Sequence, residues 1–366
     1  MKIVVFGLTI SSSWGNGHAT PYRAILRALA GMGHSVHFYE KDVEYYRKRR
    51  DFETCNYCRL IFYEDWPAVR NAALEDARSA DVVITASYLP EGRRINDEIL
   101  SLGGPLRVFY DLDTPVTLKQ LENGGVDYLR RDQIPGFDLV LSFTGGPILR
   151  TLEESYGARM ARPLYGCVDP DHYRRVAPAP DFACDLSYMA TYSPDREPQV
   201  EELFLEPARR HPQRQFMLAG SMYPWQREWP SNVRRTDHVS PQAHPCFYSS
   251  SRMTLNLTRG DMARNGWCPS GRFFEAAACG TPLISDWWDG LDWFFDVVHD
   301  IRVVTRAEHV TGALNLSDSE LQEHALHARQ RTLDDHTGEV RARRLLEYLD
   351  EACRATASAL RSEARS

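Results

Sequence analysis

No apolar run in this 366-residue chain approaches the ~18 residues that a membrane-spanning helix needs, so none is expected. Positive charge is also short. Against 50 Asp and Glu stand 43 Lys and Arg, a net charge of −7. Nucleic-acid binders carry a concentrated basic face, which this balance argues against. The short runs Tyr46-Arg-Lys-Arg-Arg50 and Arg341-Ala-Arg-Arg344 read as solvated helix faces. Cysteine is sparse: eight residues are scattered over the chain, unlike the dense framework of a small secreted domain, and they are read as reduced thiols. Cys55-Asn-Tyr-Cys58 has zinc-knuckle spacing without a second pair and is read as structural. The opening Met1-Lys-Ile-Val-Val-Phe-Gly7 enters a strand directly, with no signal-peptide h-region or cleavage site, and a cytoplasmic location is expected.

What is present is an enzyme-like composition, 43% hydrophobic and 25% charged, in a chain long enough for two domains. Short apolar runs alternate with helical patterns, the signature of parallel sheets covered by helices. Strands are expected over 2–8, 34–39, 81–85, 106–110 and 137–143, and in a second series over 185–190, 215–219 and 253–257. Between the first two, Thr20 and Pro21 open a helix striped by Ile25, Leu26 and Leu29. Helices are also expected over 198–210, 316–333 and 338–360. Ligands of such sheets gather beyond the carboxyl ends of the strands, which directs attention to Ala86-Ser-Tyr88, Asp111-Leu-Asp113 and Thr144-Gly-Gly146. Gly15-Asn-Gly17 lacks the third glycine of a dinucleotide fingerprint, because Thr20 stands there, and it does not follow the strand immediately. Glu40, where a ribose-binding acid would stand, reads equally as an ordinary charge at a strand end.

The most informative stretch is Pro269-Ser-Gly-Arg-Phe-Phe-Glu-Ala-Ala-Ala-Cys-Gly-Thr-Pro282. Pro269 and Ser270 give an entry and an N-cap hydroxyl, the helix runs from Gly271 to Cys279, and Gly280 with Pro282 ends it before a buried strand. The N–H groups of Ser270, Gly271 and Arg272 then face outward at the positive end of the helix, where they suit a diphosphate without a metal. Glu275 lies one turn further in, near where the sugar hydroxyls of a bound nucleotide would be. The competing reading is a buried helix whose acid pairs with a nearby arginine.

Gly17-His18-Ala-Thr-Pro21, ahead of Gly31-Met-Gly-His34 and a new strand, resembles the first loop of glycosyltransferases with the GT-B architecture. From about 232 to 303 the resemblance narrows to CgeB-like glycosyltransferases, related to the family-4 type domain. It is carried by Leu255-Asn256-Leu-Thr-Arg259, Pro269-Ser-Gly-Arg-Phe-Phe-Glu275, Ala278-Cys-Gly280, Ser285-Asp286 and Gly290-Leu291. Arg162-Pro-Leu-Tyr-Gly-Cys-Val-Asp-Pro-Asp-His-Tyr173 resembles the crossing between the domains of that architecture.

The resemblance implies an α/β chain of two Rossmann-like domains facing across a cleft. An acceptor domain would span 1–168 plus a C-terminal helix over about 345–366 that crosses back to it, and a donor domain 169–344. It implies that His18 deprotonates an acceptor or contacts the donor, a task suited to a group with a near-neutral pKa, although a loop histidine bonded to backbone carbonyls is the alternative. Asp113 is read with it as an acceptor contact and catalytic candidate. No metal is assigned to Asp111-Leu-Asp113, whose spelling belongs to another glycosyltransferase architecture.

Donor binding falls to Arg196, Ser270, Gly271, Arg272 and Glu275, with Asp237-His238-Val239-Ser240 reading the base through main-chain groups. Arg196 pairs equally well on paper with Glu197 or Glu201. Many family-4 domains place another glutamate eight positions before the one that binds ribose; here Trp267 stands there, so the contact to the transferred sugar is not carried over. In the aromatic run after residue 286, Trp293 and Phe294 are expected to pack inward, and Trp287 or Trp288 to face the cleft.

The implied function is metal-independent transfer of a sugar from a nucleotide donor, with UDP or dTDP as the nucleotide and no other cofactor, to a small or carrier-bound acceptor. Two alternatives share the architecture: a sugar-nucleotide 2-epimerase, and a non-catalytic sugar- or nucleotide-binding protein of spore or envelope assembly.

Overall fold

The computed structural model describes residues 1–224 and 227–363; the last three residues of the helix expected over 345–366 lie outside them. The chain forms two compact units, one of Met1–Tyr165 with the segment from Gly338 onward, the other of Gly166–Thr337.

The first unit holds seven strands: β1 Lys2–Gly7, β2 Ser35–Lys41, β3 Arg59–Tyr63, β4 Val82–Ala86, β5 Leu106–Asp111, β6 Leu139–Ser142 and β7 Ala161–Pro163, in the order β3-β2-β1-β4-β5-β6-β7. All are parallel. Ile3, Val4, Val5 and Phe6 of β1 are all buried, as expected of a strand covered by helices on both faces. The order reverses between β1 and β4, so the loops after these strands flank the switch point where ligands of such sheets bind.

The helix Ala19–Gly31 buries Tyr22, Ile25, Leu26 and Leu29 on one face. The C-terminal helix Gly338–Glu363 lies against it and buries Ala342, Leu345, Leu349 and Ala352. A Cβ at Gly338 would sit 2.5 Å from the carbonyl oxygen of Ala24, so the two helices meet this closely only because the residue is glycine.

The second unit holds six parallel strands: β8 Cys184–Met189, β9 Phe216–Ala219, β10 Val233–Thr236, β11 Ser251–Asn256, β12 Leu283–Ser285 and β13 Ile301–Val303, in the order β10-β9-β8-β11-β12-β13. Here the switch point lies between β8 and β11. The segment expected as one helix over 198–210 is helical from Pro194 to Arg210 but widens to a π-turn over Glu201–Leu205. Pro207 follows at once, and proline cannot donate to the carbonyl four residues earlier, which permits the wider turn.

Strands β3, β10 and β13 were not expected. They are short edge strands, partly exposed, and in β10 and β13 arginines interrupt the apolar pattern. Trp288 and Phe294 are core residues, whereas Trp293 is 59% exposed and meets Phe294 edge-on, contrary to the inward packing expected of it. Trp287 is also exposed.

Candidate functional site

In the second unit the helix Gly271–Ala278 starts at Ser270, whose backbone is extended as an N-cap requires. The expected capping hydroxyl is absent from that role: Ser270 Oγ instead accepts from Arg272 Nε at 3.0 Å. The guanidinium wins the hydroxyl because a second bond, from Arg272 Nη1 to the carbonyl of Met189 at the end of β8, holds it over the helix start. The N–H groups of Ser270, Gly271 and Arg272 have no carbonyl one turn behind them and stay at the positive end of the helix.

Arg196 reaches the same place from the loop after β8. Only 6% exposed, it donates through Nη2 to the carbonyl of Thr191, and its Nε has no partner among the described residues. The two glutamates that could have paired with it are engaged elsewhere, since Arg227 bonds both Glu197 and Glu201. Arg259, after β11, also has an Nε without a partner among the described residues. Burial first, and then the like charges of Arg272 and Arg259, pull the pKa of Arg196 below its ordinary value. Asp195 balances part of this charge at a distance, while its carboxylate accepts from the N–H of Gly260 at 2.8 Å. Three guanidiniums thus crowd the switch point without, among the described residues, a carboxylate clamped between them, which is costly unless an anion completes the site.

Glu275 is buried one turn inside the helix. Its Oε1 faces Gly271, 3.9 Å from where a Cβ there would stand. Its Oε2 accepts from Tyr248 Oη at 3.4 Å and lies 3.7 Å from His244 Nδ1, and the Tyr173 hydroxyl also bonds the carboxylate. Burial raises its pKa against the opposing effects of Arg272 and the two tyrosines. The acid therefore does not form the arginine ion pair of the competing reading.

His244 Nε2 donates to the carbonyl of Val239 at 3.2 Å, and its Nδ1 pairs with Tyr173 Oη at 3.2 Å. Through this imidazole the main chain at Val239 joins the network that holds Glu275. His238 is exposed, with its carbonyl accepting from Thr236 Oγ1 at 3.3 Å. Sequence reasoning missed Tyr248, His244 and Arg259. His244 and Tyr248 are four apart in the helix His244–Ser250, a spacing that puts both on one face and could have paired them.

In the first unit, the loop after β1 is buckled by Glu40, whose carboxylate accepts from Thr9 Oγ1 at 2.6 Å, Ile10 N at 2.9 Å and Ser11 N at 3.1 Å. Those bonds use the acid structurally, so it is not presented to a ribose. His18 ends this loop. Its ring lies 5.4 Å from that of Tyr88, and its Nδ1 has no hydrogen-bond partner among the described residues. The alternative of a ring bonded to backbone carbonyls is thus not what Nδ1 does. Burial lowers the His18 pKa to about 4, which keeps the imidazole neutral at pH 7 and able to accept a proton.

Tyr88 follows β4 with φ +61°, a left-handed conformation that a bulky side chain adopts at a cost. Its hydroxyl donates to Asp113 Oδ2 at 2.8 Å, so Tyr88 is the piece that brings His18 and Asp113 into one cluster. Beneath them, Asp111 Oδ1 accepts from Asp113 N and Thr117 Oγ1, each at 3.0 Å. Burial pushes the Asp111 pKa up to about 7. Among the described residues no three His, Cys, Asp or Glu side chains stand together as metal ligands, and no helix is long and apolar enough to cross a membrane.

Residues 196–347 match a family model described as glycosyl transferase-like. No curated protein matches the sequence. Among solved structures, the chain is similar to an alpha-glucosyltransferase in complex with UDP-glucose and DNA containing an abasic site, with a TM-score of 0.73, 11% identity, and coverage of 96% of this chain and 99% of that one. It is similar also to a sucrose-phosphate synthase from Thermosynechococcus elongatus, with a TM-score of 0.66, 13% identity, and coverage of 97% and 100%. HepE of Anabaena in complex with UDP-glucose gives a TM-score of 0.65 at 10% identity, with coverage of 96% and 100%. The chain has the GT-B fold, and residues 196–347 are similar to a glycosyl transferase-like domain.

Proposed function

We propose that this protein is a nucleotide-sugar-dependent glycosyltransferase whose second unit binds the donor and whose first unit presents an acceptor hydroxyl. The observation that carries the reading is the cluster of Arg196, Arg259 and Arg272 at the start of a helix whose inward acid, Glu275, keeps one oxygen toward that start. Cleavage of a glycosyl–diphosphate bond puts negative charge on the departing diphosphate, and donors already in place lower the barrier most. Arg196 and Arg272, with the N–H groups at Ser270 to Arg272, would supply them. Glu275 Oε1 would accept from a ribose hydroxyl while Tyr173, Tyr248 and His244 fix the carboxylate. Main-chain groups at His238 and Val239 would border the base. That two of the similar structures contain UDP-glucose favours UDP over dTDP as the nucleotide.

In the first unit, neutral His18 would take the proton of the acceptor hydroxyl, and Asp113, oriented by Tyr88, would hold that hydroxyl or its neighbour. In this reading the protein's own cations neutralise the diphosphate, so no divalent metal is required.

A thermal-shift panel of UDP, dTDP, GDP and ADP, each alone and with a sugar attached, tests the donor assignment. A ligand at about 100 times its Kd stabilises by about 2.7 kcal/mol, a shift of several degrees. The expected result is a shift with UDP and UDP-sugars that persists in EDTA. No shift with any nucleoside diphosphate would remove the reading.

A further inference from the structure

One motif is left unused by this chemistry: Cys55-Asn56-Tyr57-Cys58, in the loop before β3. The two sulfurs lie 3.3 Å apart, and Cys55 Sγ also approaches the carbonyl of Cys58 at 3.6 Å. Both cysteines are half-buried, so a small reagent can reach them without unfolding the loop. The loop is clamped. Asp51 N donates to the carbonyl of Ser11 at 2.7 Å, Asp51 Oδ2 accepts from Ser13 N at 3.0 Å and from Arg23 Nη2 at 2.6 Å, and buried Tyr57 lies under the guanidinium of Arg27 at 5.2 Å. The sulfurs are therefore held in register by a braced turn. Cysteines elsewhere differ. Cys167, Cys184, Cys268 and Cys279 are buried, and burial pushes the thiols of Cys184 and Cys279 up to about 12.

We propose that Cys55 and Cys58 form a thiol–disulfide exchange site for small disulfides of the glutathione type, with Cys55 as the attacking and Cys58 as the resolving thiol. The hydrogen bond from the Cys58 thiol favours the Cys55 thiolate and lowers its pKa to about 6, while the same bond raises that of Cys58. The Cys55 thiolate attacks one sulfur of the disulfide, forming a mixed disulfide and expelling one thiolate. Cys58 then loses its proton and attacks the Cys55 sulfur, expelling the second. The pair is oxidised to an intramolecular disulfide and the small disulfide is reduced to two thiols, so atoms and electrons balance. Closure of that ring would stiffen the turn that braces the loop carrying His18. The site is independent of the glycosyltransferase reading, because its test reads sulfur chemistry directly.

The experiment treats the full chain with glutathione disulfide and maps the products by peptide mass spectrometry. Wild type should lose two hydrogens in the peptide containing both cysteines and retain no glutathione there. Cys58→Ser should trap one glutathione on Cys55, and Cys55→Ser should leave Cys58 unmodified at the same time point. A persistent glutathione adduct in wild type, an unreacted Cys55 in Cys58→Ser, or faster capture at Cys246 or Cys353 would overturn the proposal. The wild-type map stands even if a variant fails to fold.

Discussion

Replacing Arg196 with methionine is expected to weaken UDP binding about 100-fold and, at the same time, to make the ligand-free protein more stable. The loss corresponds to about 2.7 kcal/mol, the range of one or two charge-assisted hydrogen bonds to a buried anion. The gain has a separate cause. In the free protein Arg196 is a buried cation crowded by Arg272 and Arg259, with an Nε that bonds nothing among the described residues. Methionine replaces the apolar stem of the side chain and removes that charge, so the ligand-free Tm should rise. A purely structural arginine would instead lower stability and affinity together. Calorimetric titration with UDP and a melting curve without ligand read the two signs independently; a lower Tm with unchanged affinity would refute the role.

His18→Ala should reduce kcat by about 100- to 10,000-fold, the span of a lost general base, while leaving UDP affinity unchanged. The pH profile gives a second check. With its pKa lowered to about 4 by burial, His18 is already neutral through the range where an ordinary histidine titrates, so protonating it should not reduce the rate between pH 5 and 7. The acid limb attributable to His18 should fall near pH 4 and vanish in the variant. A limb near 6.5 would mean that the imidazole is solvated or paired as the reaction proceeds.

Much of the architecture can be read from the sequence because the inner strands of both sheets are short and mostly apolar. Residues 3–6, 82–86 and 139–142 announce themselves by composition, since both faces of the strand are covered. The helix Gly271–Ala278 is legible for another reason: its boundaries are local, with Pro269 and Ser270 before it and Gly280 after. The partners that give the site its chemistry are not local. Tyr173, His244 and Tyr248 reach Glu275 from 102, 31 and 27 residues away in sequence, and only the parallel sheet aligns those segments. For the same reason nothing near Arg196 reveals that Arg227 takes Glu197 and Glu201, the two acids that would have neutralised it. Tyr88 is the clearest case in the first unit. It falls in a loop that strand position marks as interesting, yet its bond to Asp113 depends on a left-handed turn that no residue type there advertises.

The central claim is that the second unit holds a nucleoside diphosphate chiefly by its phosphates. Titrating UDP, UMP and uridine into the wild-type protein by calorimetry tests it most directly. The cluster of Arg196, Arg259 and Arg272 predicts that UDP binds at least about 100-fold more tightly than UMP, since the second phosphate adds charge-assisted bonds worth about 1.5–3 kcal/mol each. Uridine should bind more weakly still. Equal affinities for UDP and UMP would contradict the account.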